Sequence, residues 1–310
     1  MKHLATASLI AFALGSSSTL ALDLGNGFSI LGDVELEYLT DGDDDVSFAF
    51  ADVTFGWRSQ AGGQIGFGLD LTLQNFSDLD NGEGRTATWA ALVVTTGYGD
   101  VAIGRPQPVL ERFFDAPEMG GTHYPDVLFG VFGGYGGSFI AQVALFEDAD
   151  MVGVTFQGEA SGLTYGAGVH RIDSTPSDVN AYELAVGYKA GGVELFGGFE
   201  RIDTPVEYLD RLQLGARYDA DRWAVGAHHQ SLDFVVTNFE VSTLYADYKV
   251  TDALTLGVQA QHFDTGPASN DFYGLSGEYS FGPGGFAQLG YLKAAEGIED
   301  VFSASVGYRF

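Results

Sequence analysis

From Phe28 to the C-terminus the chain alternates apolar and polar residues in short runs that turns interrupt. In Gln64 to Asn75, Ile65, Phe67, Leu69, Leu71 and Leu73 alternate with Gly66, Gly68, Asp70, Thr72 and Gln74. In Leu254 to Phe263, Leu254, Leu256, Val258 and Ala260 oppose Thr255, Gly257, Gln259 and Gln261. The last residues repeat the rhythm, with Phe302, Ala304, Val306, Tyr308 and Phe310 on one face and Ser303, Ser305, Gly307 and Arg309 on the other. Successive strand residues point to opposite faces, so each run has an apolar and a polar side. Sixteen strands are predicted: 28–38, 46–58, 64–75, 86–96, 101–105, 151–158, 163–172, 181–189, 193–201, 210–219, 223–232, 240–249, 254–264, 271–281, 286–294 and 301–310. The stretch Phe139 to Phe146 reads either as a strand end or as loop.

The connections also alternate. Short Gly-rich turns fall at 60–63, 97–100, 159–162, 190–192 and 282–285, and longer polar segments fall between them, at 41–45, 76–85, 173–180, 203–210 and 265–270. A soluble β-sandwich buries one face of each strand and shows a similar alternation. Two features favour a barrel in a membrane. The apolar face is uniform around all the strands, and aromatics (Trp57, Tyr188, Tyr218, Trp223, Tyr248, Tyr279, Phe281) gather near strand ends, where interfacial girdles sit. An even strand count returns both ends of the barrel to one side of the membrane, and sixteen strands enclose an aqueous lumen.

The N-terminus agrees with export. A short basic start, an apolar Leu4 to Leu14 and a small-residue Thr19-Leu20-Ala21 predict a secretory signal over 1–21, with the mature barrel spanning 22–310. This largely apolar stretch of eleven residues is too short to span a bilayer, and no other run approaches the roughly 18 a spanning helix needs. Cysteine is absent, so an exported chain must be stapled by something other than disulfides, such as closure of a sheet. The net charge of -28 excludes nucleic acid as a partner, because binding phosphates needs a basic surface.

One connection breaks the rhythm. Residues 106–150 form by far the longest loop, and Phe113, Phe114, Tyr124, Phe129, Phe132, Tyr135 and Phe139 give it something to pack. Around it lie Gly97-Tyr98-Gly99-Asp100, Ile103-Gly104-Arg105, Asp115-Ala116-Pro117-Glu118-Met119-Gly120-Gly121 and Gly133-Gly134. In their order and spacing these motifs resemble the Gram-negative general diffusion porins, and with the signal, the strand rhythm and the terminal Phe the resemblance covers essentially the whole chain.

That resemblance implies a homotrimeric, all-β antiparallel transmembrane barrel of about sixteen strands, with its long third loop folded into the lumen. It implies residence in the outer membrane of a Gram-negative bacterium, with the lipid bilayer and further copies of the chain as partners. Small hydrophilic solutes and ions would diffuse through passively, and no cofactor is implied. By the same carry-over, Glu118 is the constriction carboxylate with Asp115 beside it, and Arg105 ends the strand that enters the loop. Two departures stand out. Met119 occupies the family's aromatic position, and the basic wall cluster opposite the loop is thin: Arg58, Arg85 and Arg105 are its candidates in the early strands. The polar faces of the first two strands instead offer Asp33, Glu35, Glu37 and Asp52, which predicts a mild preference for cations. A substrate-specific channel is the alternative reading.

Other chemistry finds little support. His228 and His229 precede Ser231, but neighbouring strand residues face opposite ways, and no nucleophile elbow, zinc spacing or phosphate loop appears, so no enzyme is expected. Asp41, Asp43 and Asp45 offer oxygen ligands suited to a structural calcium, without the spacing of a defined binding loop.

Overall fold

A computed structural model describes residues 22–42, 44–59, 65–80, 82–113, 119–122, 137–146, 149–173, 178–204, 208–234, 237–266, 269–295 and 299–310. The expected signal at 1–21, the turn at 60–63 and the acids Asp43, Asp115 and Glu118 lie outside the described residues. The strands are β1 (Leu22–Gly25), β2 (Phe28–Thr40), β3 (Asp45–Arg58), β4 (Gly66–Asp78), β5 (Glu83–Thr96) and β6 (Gly99–Arg105). After helices α1 (Val109–Phe113) and α2 (Phe139–Phe146) come β7 (Met151–Ala160), β8 (Leu163–Ile172), β9 (Val179–Ala190), β10 (Val193–Asp203) and β11 (Tyr208–Asp219). The chain continues through β12 (Trp223–Phe234), β13 (Thr237–Lys249), β14 (Leu254–Asp264), β15 (Ser269–Phe281), β16 (Gly285–Lys293) and β17 (Val301–Arg309).

Each strand from β2 to β16 pairs antiparallel with its successor, and β17 pairs with β2 from Phe302 opposite Thr40 to Arg309 opposite Asp33. The result is a closed ring of sixteen strands. The short β1 stands outside the ring's count. It folds back on the start of β2 through Asn26 and Gly27, both at positive φ (54° and 84°), as a two-residue hairpin turn requires. β1 covers residues 28–30 of the β2 edge and β17 covers the rest, with Phe310 N donating to Gly32 O at 2.8 Å. The Asn-Gly dipeptide was the sequence signal for this extra strand.

Register settles which face is which. Leu184 on β9 is 59% exposed while its neighbour Glu183 is 1% exposed. Leu36, Leu71, Leu214, Leu275 and Leu289 are likewise exposed, and Glu37, Thr72, Gln213 and Gln261 are buried. Apolar side chains outside and polar ones inside invert the pattern of a water-soluble protein and suit a barrel in lipid, whose ring closure satisfies every strand edge. The aromatics at the tight-turn ends cluster as an interfacial girdle does: Trp223 sits opposite Tyr248 and 5.4 Å, centroid to centroid, from Tyr218, and Trp57 lies 6.4 Å from Phe28.

Phe139–Phe146 is neither strand nor irregular loop. It forms helix α2, because its sequence, apolar except for Gln142, packs Ile140, Ala141 and Ala144 against Ala87 and Trp89 of β5, Met151, Ile172, Ala181 and Ile202. Period-two reading cannot distinguish such a run from a buried strand. No described helix is long and apolar enough to cross a membrane.

Candidate functional site

The long connection between β6 and β7 is held against inward-facing wall residues at several places. At its root, Arg105 Nη2 donates to Ala149 O at 3.0 Å, Nη1 lies 3.5 Å from Asp150 Oδ1, and the guanidinium sits 5.6 Å from the Trp89 ring centroid. Arg105 thus ties the two ends of the loop together.

From the root, α1 runs along the wall of β7 to β10. Its first turn leaves backbone N–H groups without intrahelical partners, and a wall carboxylate takes them. Glu183 Oε1 accepts from Val109 N at 2.6 Å and Oε2 from Leu110 N at 2.9 Å, while His170 Nε2 lies 2.8 Å from Oε1. Space for this contact comes from Gly166 and Gly198, where a Cβ would stand 2.4 Å from Val109 Cγ1 and 2.2 Å from Leu110 Cδ2. The second helix repeats the device: Glu200 of β10 accepts from Ser138 Oγ, Phe139 N and Ile140 N, each at 2.8 Å. Negative charge at a helix N-terminus also opposes the helix dipole favourably.

The helices are joined to each other by Glu111, whose Oε2 accepts from Ser138 N at 2.8 Å. Its Oε1 accepts from Gln74 Nε2 at 3.1 Å, and the same amide donates to Asp52 Oδ2 at 2.8 Å. Trp89 Nε1 fixes that amide by donating to Gln74 Oε1 at 2.7 Å. Burial pushes the Glu111 carboxyl above its ordinary 4.5, against the opposing pull of Ser138 N, the Gln74 amide and the Arg211 guanidinium.

Between the helices the chain reaches another part of the ring. Met119 is wholly buried among Leu39, Phe48, Phe272, Leu292 and Val301, and Gly120 N donates to Gln259 Oε1 at 3.2 Å. Ser303 Oγ donates to Gly121 O at 3.0 Å.

The predicted wall residues fall as follows. Asp33, Glu35 and Glu37 of β2 and Asp52 of β3 share the inner face by register, with Glu35 beside Phe50 and Glu37 beside Phe48. Phe48, Phe50 and Phe76 form an inward aromatic corner there, with centroids 5.0–6.0 Å apart. Arg58 is inward and bidentate to Asp70, at 2.5 and 3.0 Å, and Arg112 of α1 lies 3.8 Å from the same carboxylate. Arg85 faces inward toward the outer end of β5, opposite Phe76. Further inward bases are paired too: Lys189 with Glu194 at 3.2 Å, Arg217 with Asp219 at 2.9 Å and Asp247 at 3.4 Å, and Arg309 with Glu278 at 2.9 Å. Sequence reasoning missed Glu183, Glu200, Gln259 and Ser303 as loop holders, since on a polar strand face they look like any other lumenal side chain. Of the calcium candidates, Asp41 Oδ1 accepts from Asp44 N at 2.8 Å, a local turn bond. Among the described residues no three metal-ligating side chains come together.

A closed barrel with an apolar exterior, a charged interior and a loop pinned to its inner wall is the architecture of an outer-membrane channel. Comparison with known proteins agrees: the Gram-negative porin family matches residues 5–310, and the chain belongs to that family. Among solved structures, an engineered Rh. blastica porin superposes with a TM-score of 0.69 at 19% identity, covering 91% of this chain and 100% of the other. A porin refined at 1.8 Å resolution gives a TM-score of 0.66 at 18% identity with the same coverage. A third, from work on asymmetric conductivity of engineered proteins, gives 0.64 at 19%, again covering 91% of this chain and 100% of its own. No curated protein matches. The family and fold are those of channel proteins rather than enzymes.

Proposed function

We propose that this porin is a homotrimeric, water-filled channel through which small hydrophilic solutes and ions diffuse passively across the outer membrane, with a mild preference for cations and no bound cofactor. The chain reaches that membrane after cleavage of the signal at 1–21, and the loop at 106–150, carrying Asp115 and Glu118, narrows the lumen.

The observation that supports the selectivity is the pairing of five lumenal bases beside a group of wall acids. Arg58, Arg112, Lys189, Arg217 and Arg309 each lie within ion-pair distance of a carboxylate, while β2 and β3 present the acids Asp33, Glu35, Glu37 and Asp52 on the same inner face. Paired bases attract few anions, and a surplus of acids along a pore favours cations.

The trimer is supported by one sector of the outer surface. On β3 to β5 the outward positions nearer the long-loop rim carry Ser47, Asn75, Ser77, Thr86 and Thr88 with Ala49, Ala51 and Ala90, where other strands carry Leu, Val and Tyr. Polar groups facing hydrocarbon are costly, so a second copy of the chain is the better neighbour for this sector.

Single-channel recording of the refolded protein in a planar bilayer under a KCl gradient tests the reading. Large ohmic steps, often in threes, with a cation-directed reversal potential are expected. Small conductance blocked by one solute would favour a substrate-specific channel, for which the aromatic corner at Phe48, Phe50 and Phe76 would be the lumenal track.

A further inference from the structure

We propose that Gly274 and Gly290 form a notch in the inner wall that seats the backbone of Gly120 and Gly121, and so set how far the crossing loop reaches and which solutes pass. The inference rests on the porin reading and adds to it the wall residues that position the loop tip.

Gly274 lies on β15 beside Gln259 and Leu292, and Gly290 lies on β16 beside Ser276 and Ser303, all on the inner face. Neither has a positive φ, so neither strand needs glycine for its own backbone. Glycine in a strand gives up side-chain packing and often marks the close approach of another backbone. That approach is present here: a Cβ on Gly290 would stand 1.8 Å from Gly120 O, and one on Gly274 would stand 2.3 Å from Gly120 N. Each would also press a neighbouring side chain, Ser303 Oγ at 2.3 Å and Gln259 Oε1 at 2.6 Å, and those two side chains make the hydrogen bonds that hold the tip.

The fit is mutual. A Cβ on Gly120 would lie 2.6 Å from Tyr291 O, and one on Gly121 would lie 2.5 Å from Gln288 Nε2. Both loop glycines sit at positive φ (66° and 62°), a turn that presses bare backbone into the wall. Met119 then fills an apolar recess beside the notch and is wholly buried. Contrast the α1 end of the loop, where Gly166 and Gly198 face the side chains of Val109 and Leu110, which can shift. At the notch the obstacle is backbone, so even a methyl group must displace the tip.

The test compares wild type with Gly274→Ala, Gly290→Ala and Ser303→Ala. Gly277→Ala serves as control, since its outward Cβ would meet nothing nearer than Leu256 Cδ2 at 3.4 Å. Heat-modifiable gel migration verifies the folded barrel of each. In liposome swelling, the two wall-glycine variants should raise the entry rate of the largest sugars that wild type retards by about twofold or more. Ser303→Ala should do so less, and Gly277→Ala not at all. Rates equal to or below wild type in folded Gly274→Ala and Gly290→Ala overturn the notch.

A second readout needs no transport. The chain has no cysteine, so Met119→Cys supplies one thiol. It should resist a water-soluble maleimide in the otherwise unaltered chain and react several-fold faster when Gly290→Ala is added; equal protection in both overturns the proposal. Wild-type protein that folds yet passes no solute, with the thiol still unmasked by Gly290→Ala, would reject the porin reading and leave the notch standing.

Discussion

The carboxylate of Glu183, on strand β9, caps the helix that begins at Val109: its two oxygens lie 2.6 and 2.9 Å from the first two backbone nitrogens of α1. A residue of the barrel wall therefore completes the secondary structure of a loop 74 positions away in the chain. Glu200 does the same for α2. Helix α2 also carries a local cap, Ile140 N donating to Ser138 Oγ at 3.0 Å, and the wall carboxylate adds to it.

Replacing Glu183 with Ala strands two buried N–H groups and the His170 ring, each at a cost of about 1–3 kcal/mol. The expected result is a lower midpoint for heat-modified migration and a noisier open channel. Glu183→Gln, which keeps one acceptor oxygen, should fall between. A quiet channel with an unchanged midpoint in Glu183→Ala would show that the cap contributes nothing.

Glu118→Gln and Asp115→Asn remove the carboxylates expected at the narrowing of the channel. Each should shift the KCl-gradient reversal potential toward zero, with the larger shift for Glu118→Gln. Reversal potentials equal to wild type would reject a role in ion choice.

Acidity should act on the loop through Glu111. Its carboxyl titrates above 4.5 when docked, so the docked form binds a proton that the unfolded chain has released. The contribution of this group is then fully present below pH 4.5 and declines as pH rises through the raised value. Glu111→Gln should flatten that decline, gaining stability relative to wild type at about pH 7 compared with about pH 4.5. Parallel pH profiles of the thermal midpoint would contradict this.

Phe310 donates its backbone N–H to Gly32 O and stacks edge-on with Tyr308 at 5.1 Å. Deleting it should reduce the outer-membrane level of assembled protein several-fold, measured by semi-native gel of membrane fractions. Normal levels would count against a role for the terminal residue in assembly.

The sixteen strands of the ring were legible because lipid outside and water inside impose the same alternation on every strand, as the run Ile65 to Gln74 shows. β1 was missed since four residues show too little period, although Asn26-Gly27 marks its turn. The loop's existence was readable from its length, but its attachments were not. Ser303 and Gly121 are separated by 182 positions, and nothing in one strand's pattern tells a carboxylate that caps a helix from one that faces water. Arg105 illustrates the gap: its place at the strand end was visible, whereas its bond to Ala149 depends on where the loop returns.

A hollow cylinder yields by flattening. In this one, helix α1 is bonded to β9, and Met119-Gly120-Gly121 rest on β14 through β17, a separate sector of the wall. Both anchorages sit on the inner face, so squeezing the barrel toward an oval must strain the contacts at Glu183 or at Gln259 and Ser303. Two sectors of one ring are thus braced from the inside.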